Sequence, residues 1–417
     1  MNYQNTFYDI DHLCDAIHKS AKSSSHKYTT QKYALHWLVN SAKLCQQIEN
    51  RAYKTDKGSE FVISERGKIR YIHGNVPKDK AIRRSFSDNV LTPNLSPYIA
   101  RKNCASQTGK GIDDQRKQFE RDVHRFYMEN GCSNEGWILL TDASKFYDNI
   151  RHQDLKDMVN PHLDTLEEHW FFNQAVDNFQ RNVSWMTDEQ YYQAVHYKYN
   201  SMDSIGKIVD KNDKSKILKK SVDIGDQTSQ NAGIFYPHKV DDYITKVRGN
   251  KYSGRYMDDG YVIHKSKQYL KDLLVDIKTE YAKYGIYLND KKTKIVKLSS
   301  KFIFLQRQYF LKSNGVLVQQ INPERVTKMR QKLKKLAIKY NNGKRTYKQM
   351  YDMFHSWMEA HKNYMSKKQI DNLNLLFKQL FIPKEDVNNG QQELYDNTCR
   401  WYSPQEFDTQ WQQLFFE

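Results

Sequence analysis

Two short stretches carry side chains able to do metal chemistry. In RYMDDGYVIH, residues 255–264, Asp258 and Asp259 stand side by side between strand-forming residues, and 116 positions earlier (258 − 142) Asp142 closes the apolar run Trp137 to Leu140 in GWILLTDASKFYDNI. Each stretch also has a plain structural reading. Asp259-Gly260 suits a two-residue hairpin turn, because both positions tolerate positive φ, and Asp142 suits a cap or turn residue if TDASKF starts a helix. The chemical reading needs both stretches at once. Two strands side by side, one ending at Asp142 and one turning at Asp258-Asp259, would gather three carboxylates on a sheet edge. Hard oxygen ligands of this kind hold divalent cations, which offset the repulsion of the like charges. Such a clamp serves two-metal phosphoryl transfer, in which one ion activates an attacking hydroxyl and the other holds a leaving pyrophosphate.

The rest of the chain has room to build that scaffold. Its 417 residues exceed the usual single-domain size, so two or three structural units are expected. Lys and Arg number 66 against 49 Asp and Glu, a net charge of +17, with a pI near 9.3. That balance favours a polyanionic partner through phosphate neutralisation; a membrane surface is the rival. No apolar run of about 18 residues occurs, and the polar, acidic MNYQNTFYDIDHLCD is unlike a signal peptide. A cytoplasmic protein with no membrane partner is expected. The five cysteines, Cys14, Cys45, Cys104, Cys132 and Cys399, form no C-x-x-C pair and are expected to be reduced and structural.

Residues 1–58 place Ala34, Leu35, Leu38, Val39, Ala42 and Ile48 at helical spacing, which predicts a helical N-terminal extension. EFVISERGKIRYIHGNVPKD reads as a hairpin around Arg66-Gly67, with Lys68 and Arg70 on one strand. Residues 80–127 are mostly helical, and residues 157–221 form a long Tyr-rich connection to which no motif is assigned. IGDQTSQ reads as a glycine turn feeding a helix, and YGIYLNDKKTKIVKLSSKFIFLQRQYFL as short strands and turns. Beyond Pro323 the pattern is helical to about Leu380. Its first helix carries Lys328, Arg330, Lys332, Lys334 and Lys335, either a solvated face or a nucleic-acid contact.

Four of these segments together resemble the ordered motifs of reverse transcriptases: D-x-x-x-F-Y at Asp142 to Tyr147, G-x-x-x-S-Q at Gly225 to Gln230, Y-M-D-D at Tyr256 to Asp259, and L-N-x-x-K-T at Leu288 to Thr293. The resemblance covers residues from about 60 to about 310. It implies an α+β right hand, with fingers and a palm of antiparallel sheet backed by helices over 59–310 and an α-helical thumb and C-terminal region over 311–417. The implied activity is RNA-directed DNA polymerisation, with an RNA template, deoxynucleotide triphosphates and a cDNA product as partners. Two Mg²⁺ ions per site, with Mn²⁺ as a substitute, would be held by Asp142 and Asp258, assisted by the Ala143 carbonyl and Asp259.

The resemblance assigns further roles. Tyr147 matches the aromatic under the incoming sugar, where its ring would exclude a 2′-hydroxyl; its plain reading is a core aromatic. Gln230, Gly225 and Ser229 match the segment lining nucleotide and template. Lys68 and Arg70 match finger cations that grip the triphosphate, and Lys80 takes the position after Asp79 where arginine is common, so a bidentate grip becomes a point charge. Unaided, Lys68 and Arg70 read as solvated strand charges. Lys292 matches a lysine placed near the departing pyrophosphate as a general acid, with Lys291 as a neighbour easily mistaken for it. Beyond the resemblance, Lys328, Lys332 and Lys335 at i, i+4 and i+7 have the spacing to track a phosphate backbone, and with Arg330 they are the expected template-primer contacts. Phe304-Leu305-Gln306 stands where relatives have F-L-G, which puts the tightness of that turn in question. No segment resembles a ribonuclease H, nuclease or integrase domain. Stand-alone enzymes that copy a dedicated non-coding RNA in anti-phage defence are the preferred subgroup, with diversity-generating retroelements and retrons as alternatives. A non-catalytic RNA-binding scaffold is the alternative of another class.

Overall fold

The structure is a computed structural model describing residues 6–382 apart from positions 57, 66, 67, 208 and 211, with Glu65 and Lys68 described in backbone only. The Arg66-Gly67 turn expected in the first hairpin and Cys399 lie outside the described residues. The chain divides into two compact units, Met1–Gln319 and Gln320–Glu417. The first holds both acidic motifs.

Helices α1 (Ile10–Lys22), α2 (Tyr28–Leu35) and α3 (Trp37–Glu49) lead into a hairpin of β1 (Ser59–Glu65) and β2 (Lys68–Gly74), followed by α4 (Pro77–Phe86). Asp9 caps α1, its carboxylate accepting from the Asp11 N–H at 2.8 Å. Leu13 and Ile17 of α1 and Leu44 and Ile48 of α3 share one core with Ile82 and Phe86 of α4. No boundary therefore falls at residue 58. The expected extension is part of the first unit, because its apolar faces close over α4.

After a π-helical turn, Ser87–Leu91, come α5 (Thr92–Leu95) and α6 (Ile112–Glu129), then strand β3 (Trp137–Asp142). The long connection left without structure at 157–221 contains the end of α7 (His152–Val159), then α8 (Leu166–Asp177), β4 (Arg181–Asn182), α9 (Asp188–His196) and β5 (Ile217–Leu218). Thr165 with Glu168 and Thr187 with Gln190 form capping boxes that start α8 and α9. Val183, Met186, Ala194, Tyr199 and Leu218 give the insertion a small core of its own. There follow α10 (Gln227–Phe235), α11 (His238–Asp242), β6 (Ser253–Tyr256), β7 (Asp259–His264) and α12 (Lys267–Lys283). Short strands β8 (Lys294–Lys297), β9 (Phe302–Phe304), β10 (Arg307–Leu311) and β11 (Leu317–Ile321) complete the unit, whose boundary falls inside β11 and not at residue 311.

The fold is α+β, built around an antiparallel sheet of order β6-β7-β3-β8. Period-two alternation sends Ile138, Leu140, Tyr261 and Ile263 onto Phe119 and Val123 of α6, and Leu139 and Val262 onto Leu270, Leu273 and Ile277 of α12. Burial on both faces explains why Trp137 to Leu140 is continuously apolar. The second unit contains α13 (Pro323–Asn341), α14 (Tyr347–His361) and α15 (Lys367–Leu380), around Met329, Leu333, Phe354 and Phe377. Phe354 and Phe377 stack with ring centroids 4.6 Å apart.

Candidate active site

Strand β3 anchors the acidic residues through its backbone. Its register sets Asp142 directly opposite Asp259, and the Ala143 N–H donates to the Asp258 carbonyl at 3.1 Å. The tip of the hairpin is Met257-Asp258 and not Asp259-Gly260, because Tyr256 pairs with Asp259 and Arg255 with Gly260. Asp-Gly turn chemistry yields here to the register that β7 must keep with β3. Met257 consequently takes a left-handed φ of +54°, a conformation costing a side-chain residue about 1 kcal/mol or more. Buried Arg255 holds it there. Its guanidinium donates to both oxygens of Asp241, at 2.9 and 2.7 Å, and to the carbonyls of Met257 at 2.9 Å and Ile234 at 2.8 Å. Neither Arg255 nor Asp241 stood out in the sequence, since a strand arginine reads as a solvated charge.

On the other edge of β3 the loop after α12 closes in. The Asn289 N–H donates to the Asp142 carbonyl at 2.8 Å and the Ser144 N–H to the Tyr287 carbonyl at 2.7 Å. The same loop brings the Lys292 ammonium to 2.6 Å from Asp142 Oδ1. Lys291 is exposed, its N–H donating to Asn289 Oδ1 at 3.1 Å. The pairing brings Asp142, Asp258 and Asp259 to one sheet edge, although among the described residues no three acidic, histidine or cysteine side chains already converge on a single ion position. Asp258 at the tip is exposed, Asp259 at the strand start is half-buried, and Asp142 is engaged by the lysine. The residues nonetheless fit a divalent cation. Asp142 and Asp258 are adjacent through the Ala143 bond, both offer hard oxygens, and the ammonium on Oδ1 shows that a positive charge is accommodated beside Asp142.

Tyr147 begins a 3-10 turn, Tyr147–Asn149, and its carbonyl accepts from the Val222 N–H at 3.0 Å. Burial raises the pKa of its phenol, the Asp258 carboxylate raises it further, and the charges of Arg70 and Arg255 oppose the shift. The carboxylate at the hairpin tip, the tyrosine and the finger arginine thus share one neighbourhood. The reverse transcriptase (RNA-dependent DNA polymerase) family matches residues 56–308. The chain belongs to this family.

It is accordingly an RNA-directed DNA polymerase, a nucleotidyltransferase of a family that uses divalent metal ions. Similar solved structures include telomerase from Candida albicans in complex with the TWJ fragment of telomeric RNA, at 12% identity and a TM-score of 0.43, covering 89% of this chain and 69% of that one. Another is apo telomerase from Candida tropicalis, at 16% identity and a TM-score of 0.35, covering 63% of this chain and 48% of that one. Among curated proteins no match is found.

The reverse transcriptase ties its finger hairpin to the segment before α10 by buried charge. Asp226 caps α10, accepting from the Ser229 N–H at 3.2 Å, and its other oxygen accepts from Arg83 at 2.8 Å and Asn75 at 2.6 Å. Asp223 accepts from His73 at 2.8 Å and from Arg181. Burial pushes the Asp223 carboxyl up, but the His73 hydrogen bond and the Arg181 charge bring it below the usual carboxylate range. These partners lie far apart in the chain, so no local pattern could have found them.

The remaining expected residues separate. Gly225 is exposed with φ +95°, the left-handed conformation its turn needs, and Gln230 is half-buried on α10. Ser229 is fully buried, and its hydroxyl has no partner, so it does not present a side chain to a template. Lys68 lies on β2 with its side chain outside the described residues. Lys80 does not face the catalytic centre: with Ile17, Ala21, Thr30 and Tyr33 it lines a small gap between α4, α1 and α2, where burial lowers its pKa. The departure from Asp-Arg is therefore unrelated to a triphosphate grip, and Asp79 is itself buried, accepting from Tyr53 at 2.7 Å and the Asp56 N–H at 3.0 Å. The turn of Leu305 and Gln306 is tight despite its glutamine. Phe304 pairs with Arg307, both turn residues have positive φ, and Arg116 donates to the Leu305 carbonyl at 3.2 and 2.6 Å. In the second unit Lys328, Arg330, Lys332, Lys334 and Lys335 are all exposed on α13, with Lys328 3.9 Å from Glu324.

Proposed function

We propose that this reverse transcriptase copies a structured non-coding RNA into cDNA, in the bacterial cytoplasm, as part of defence against phage. The observation that carries the polymerase chemistry is the meeting of Asp142, the Asp258 backbone and Lys292 at the end of β3. Asp142, Asp258 and the Ala143 carbonyl, with Asp259 beside them, would hold two Mg²⁺ ions. When bound, such ions activate the primer hydroxyl and neutralise the leaving pyrophosphate. Around them Arg70 offers a cation to the triphosphate, Tyr147 excludes a 2′-oxygen by its volume, and Lys292 stands ready to donate a proton to pyrophosphate. The preference for a dedicated RNA rests on the net charge of +17, on the helical N-terminal region joined to the fingers, and on the self-supporting insertion beside them.

Sequencing the nucleic acid that co-purifies with the full chain tests the reading, alongside extension of a primed RNA by wild type and Asp258→Ala. One recurrent structured RNA with its complementary DNA, lost in Asp258→Ala while the RNA stays bound, is the expected result. Copies of a variable repeat would favour a diversity-generating retroelement, branched RNA–DNA a retron. Undiminished extension by Asp258→Ala would overturn the metal site, whereas bound RNA with no extension even by wild type would leave only an RNA-binding scaffold.

A further inference from the structure

We infer that Gly233 of α10 is a positioning residue for Tyr147, setting how far its ring stands back and so the fit of the incoming sugar. The inference rests on the reading of Tyr147 as the sugar gate. A Cβ at position 233 would lie 2.8 Å from the Tyr147 hydroxyl oxygen, closer than a real side chain tolerates, and 3.0 Å from Cζ, a tight contact that the ring must relieve by shifting. Glycine is a poor residue for the interior of a helix, yet it sits buried in the middle of α10. The contact with the ring explains its presence.

The two backbones are both held. At its start α10 is fixed by Asp226, bonded to Arg83 and Asn75. Just past its end the Tyr236 hydroxyl donates to the Tyr284 carbonyl at 2.8 Å, and the Ile234 carbonyl accepts from Arg255. The Tyr147 backbone is held in turn by the Val222 N–H. Any side chain at 233 must therefore be accommodated by swinging the Tyr147 ring about its own torsions, within the space that Asp258 and Arg70 border. A displacement of that kind misplaces the surface against which a deoxyribose would rest, and small misplacements at a reacting centre are costly.

The test is a double-mutant cycle on the full chain, using a primed RNA template and single-nucleotide addition of dGTP and GTP. Gly233→Ala should raise KM for dGTP about tenfold and change the dGTP to GTP ratio of kcat/KM by a similar factor, with its melting temperature at or above that of wild type. In the Tyr147→Ala background the same change should alter both quantities by less than about twofold, since no ring remains to be moved. Tyr147→Phe, which removes the nearest atom, should relieve part of the effect. A Gly233→Ala chain that folds only in the Tyr147→Ala background would show the same coupling as stability. Equal losses in both backgrounds would overturn the inference, because the glycine would then act through the helix alone. The gate reading fails separately: if Tyr147→Ala leaves the dGTP to GTP ratio at the wild-type value while the KM effect of Gly233→Ala still vanishes in it, Gly233 positions the ring for nucleotide affinity and not for sugar choice.

Discussion

In the central sheet Asp142 is placed by backbone pairing, with Asp259 opposite and the Ala143 N–H on the Asp258 carbonyl. In the fingers, β1 and β2 pair with each other alone among the described residues, and side chains moor them: His73 to Asp223 and Asn75 to Asp226, with Arg181 and Arg83 behind. Ladder bonds depend little on which side chains the strands carry, whereas a buried ion pair fails when either member is lost. The palm should therefore lose activity without losing structure, and the fingers should lose both together.

Asp142→Asn is expected to show the largest effect. Primer extension should fall by at least about a thousandfold if, as proposed, Asp142 would hold a cation that carries transition-state charge, while thermal melting stays at the wild-type temperature. A coincident drop in melting temperature would break the contrast. Arg83→Ala should cost about 3–5 kcal/mol in denaturant titration, because it strands a buried carboxylate at Asp226. A cost below about 1 kcal/mol would mean that the fingers are not held by charge.

A pH series sharpens the same comparison at the base of the insertion. His152 donates through Nε2 to the Ser221 carbonyl at 2.6 Å, and burial brings its pKa down from 6.5 to about 4. Between those values the unfolded chain binds the proton and the folded chain does not, so stability is fully present above about pH 6.5 and is lost as pH falls toward 4, by about 3 kcal/mol. His152→Gln should flatten that acid limb in urea unfolding at pH 7, 5.5 and 4.5; an unchanged limb would place its origin elsewhere. The smallest effect is expected in the second unit, where Lys328, Lys332 and Lys335 follow one another at i, i+4 and i+7 on α13. Replacing all three with glutamine should reduce the salt dependence of template-primer binding by up to about three charges' worth. An identical slope would return this run to a solvated face.

What the sequence disclosed follows the same division. That Asp142 would end a strand beside the Asp258-Asp259 hairpin was legible because strand ends and acidic turns are written in neighbouring residues, and the apolar run of β3 announced its burial, whereas Lys292 was singled out by family resemblance alone. The exact hairpin tip was not legible, since Asp259-Gly260 satisfies every local rule and loses only to pairing with a strand more than a hundred residues away. Thr165 with Glu168 and Thr187 with Gln190 offered readable helix starts inside the stretch left unassigned. Lys80 misled for the opposite reason: its local motif was plausible, but the face of α4 that it occupies is chosen by packing against α1 and α2. Arg83 with Asp226, and Arg255 with the Met257 carbonyl, needed the tertiary fold to be seen at all.

The central place of β3 has a consequence for how the chain is made. Trp137 leaves the ribosome long before its ladder partner His264 and its other neighbour Lys297. Until both arrive, a run of four apolar residues waits with its edges unpaired, while α7, α8 and the little core of the insertion can already form from nearby sequence. Contacts so distant in sequence are slow to close. The nascent enzyme is therefore most exposed to aggregation in the interval between synthesis of the first carboxylate and synthesis of the last strand beside it.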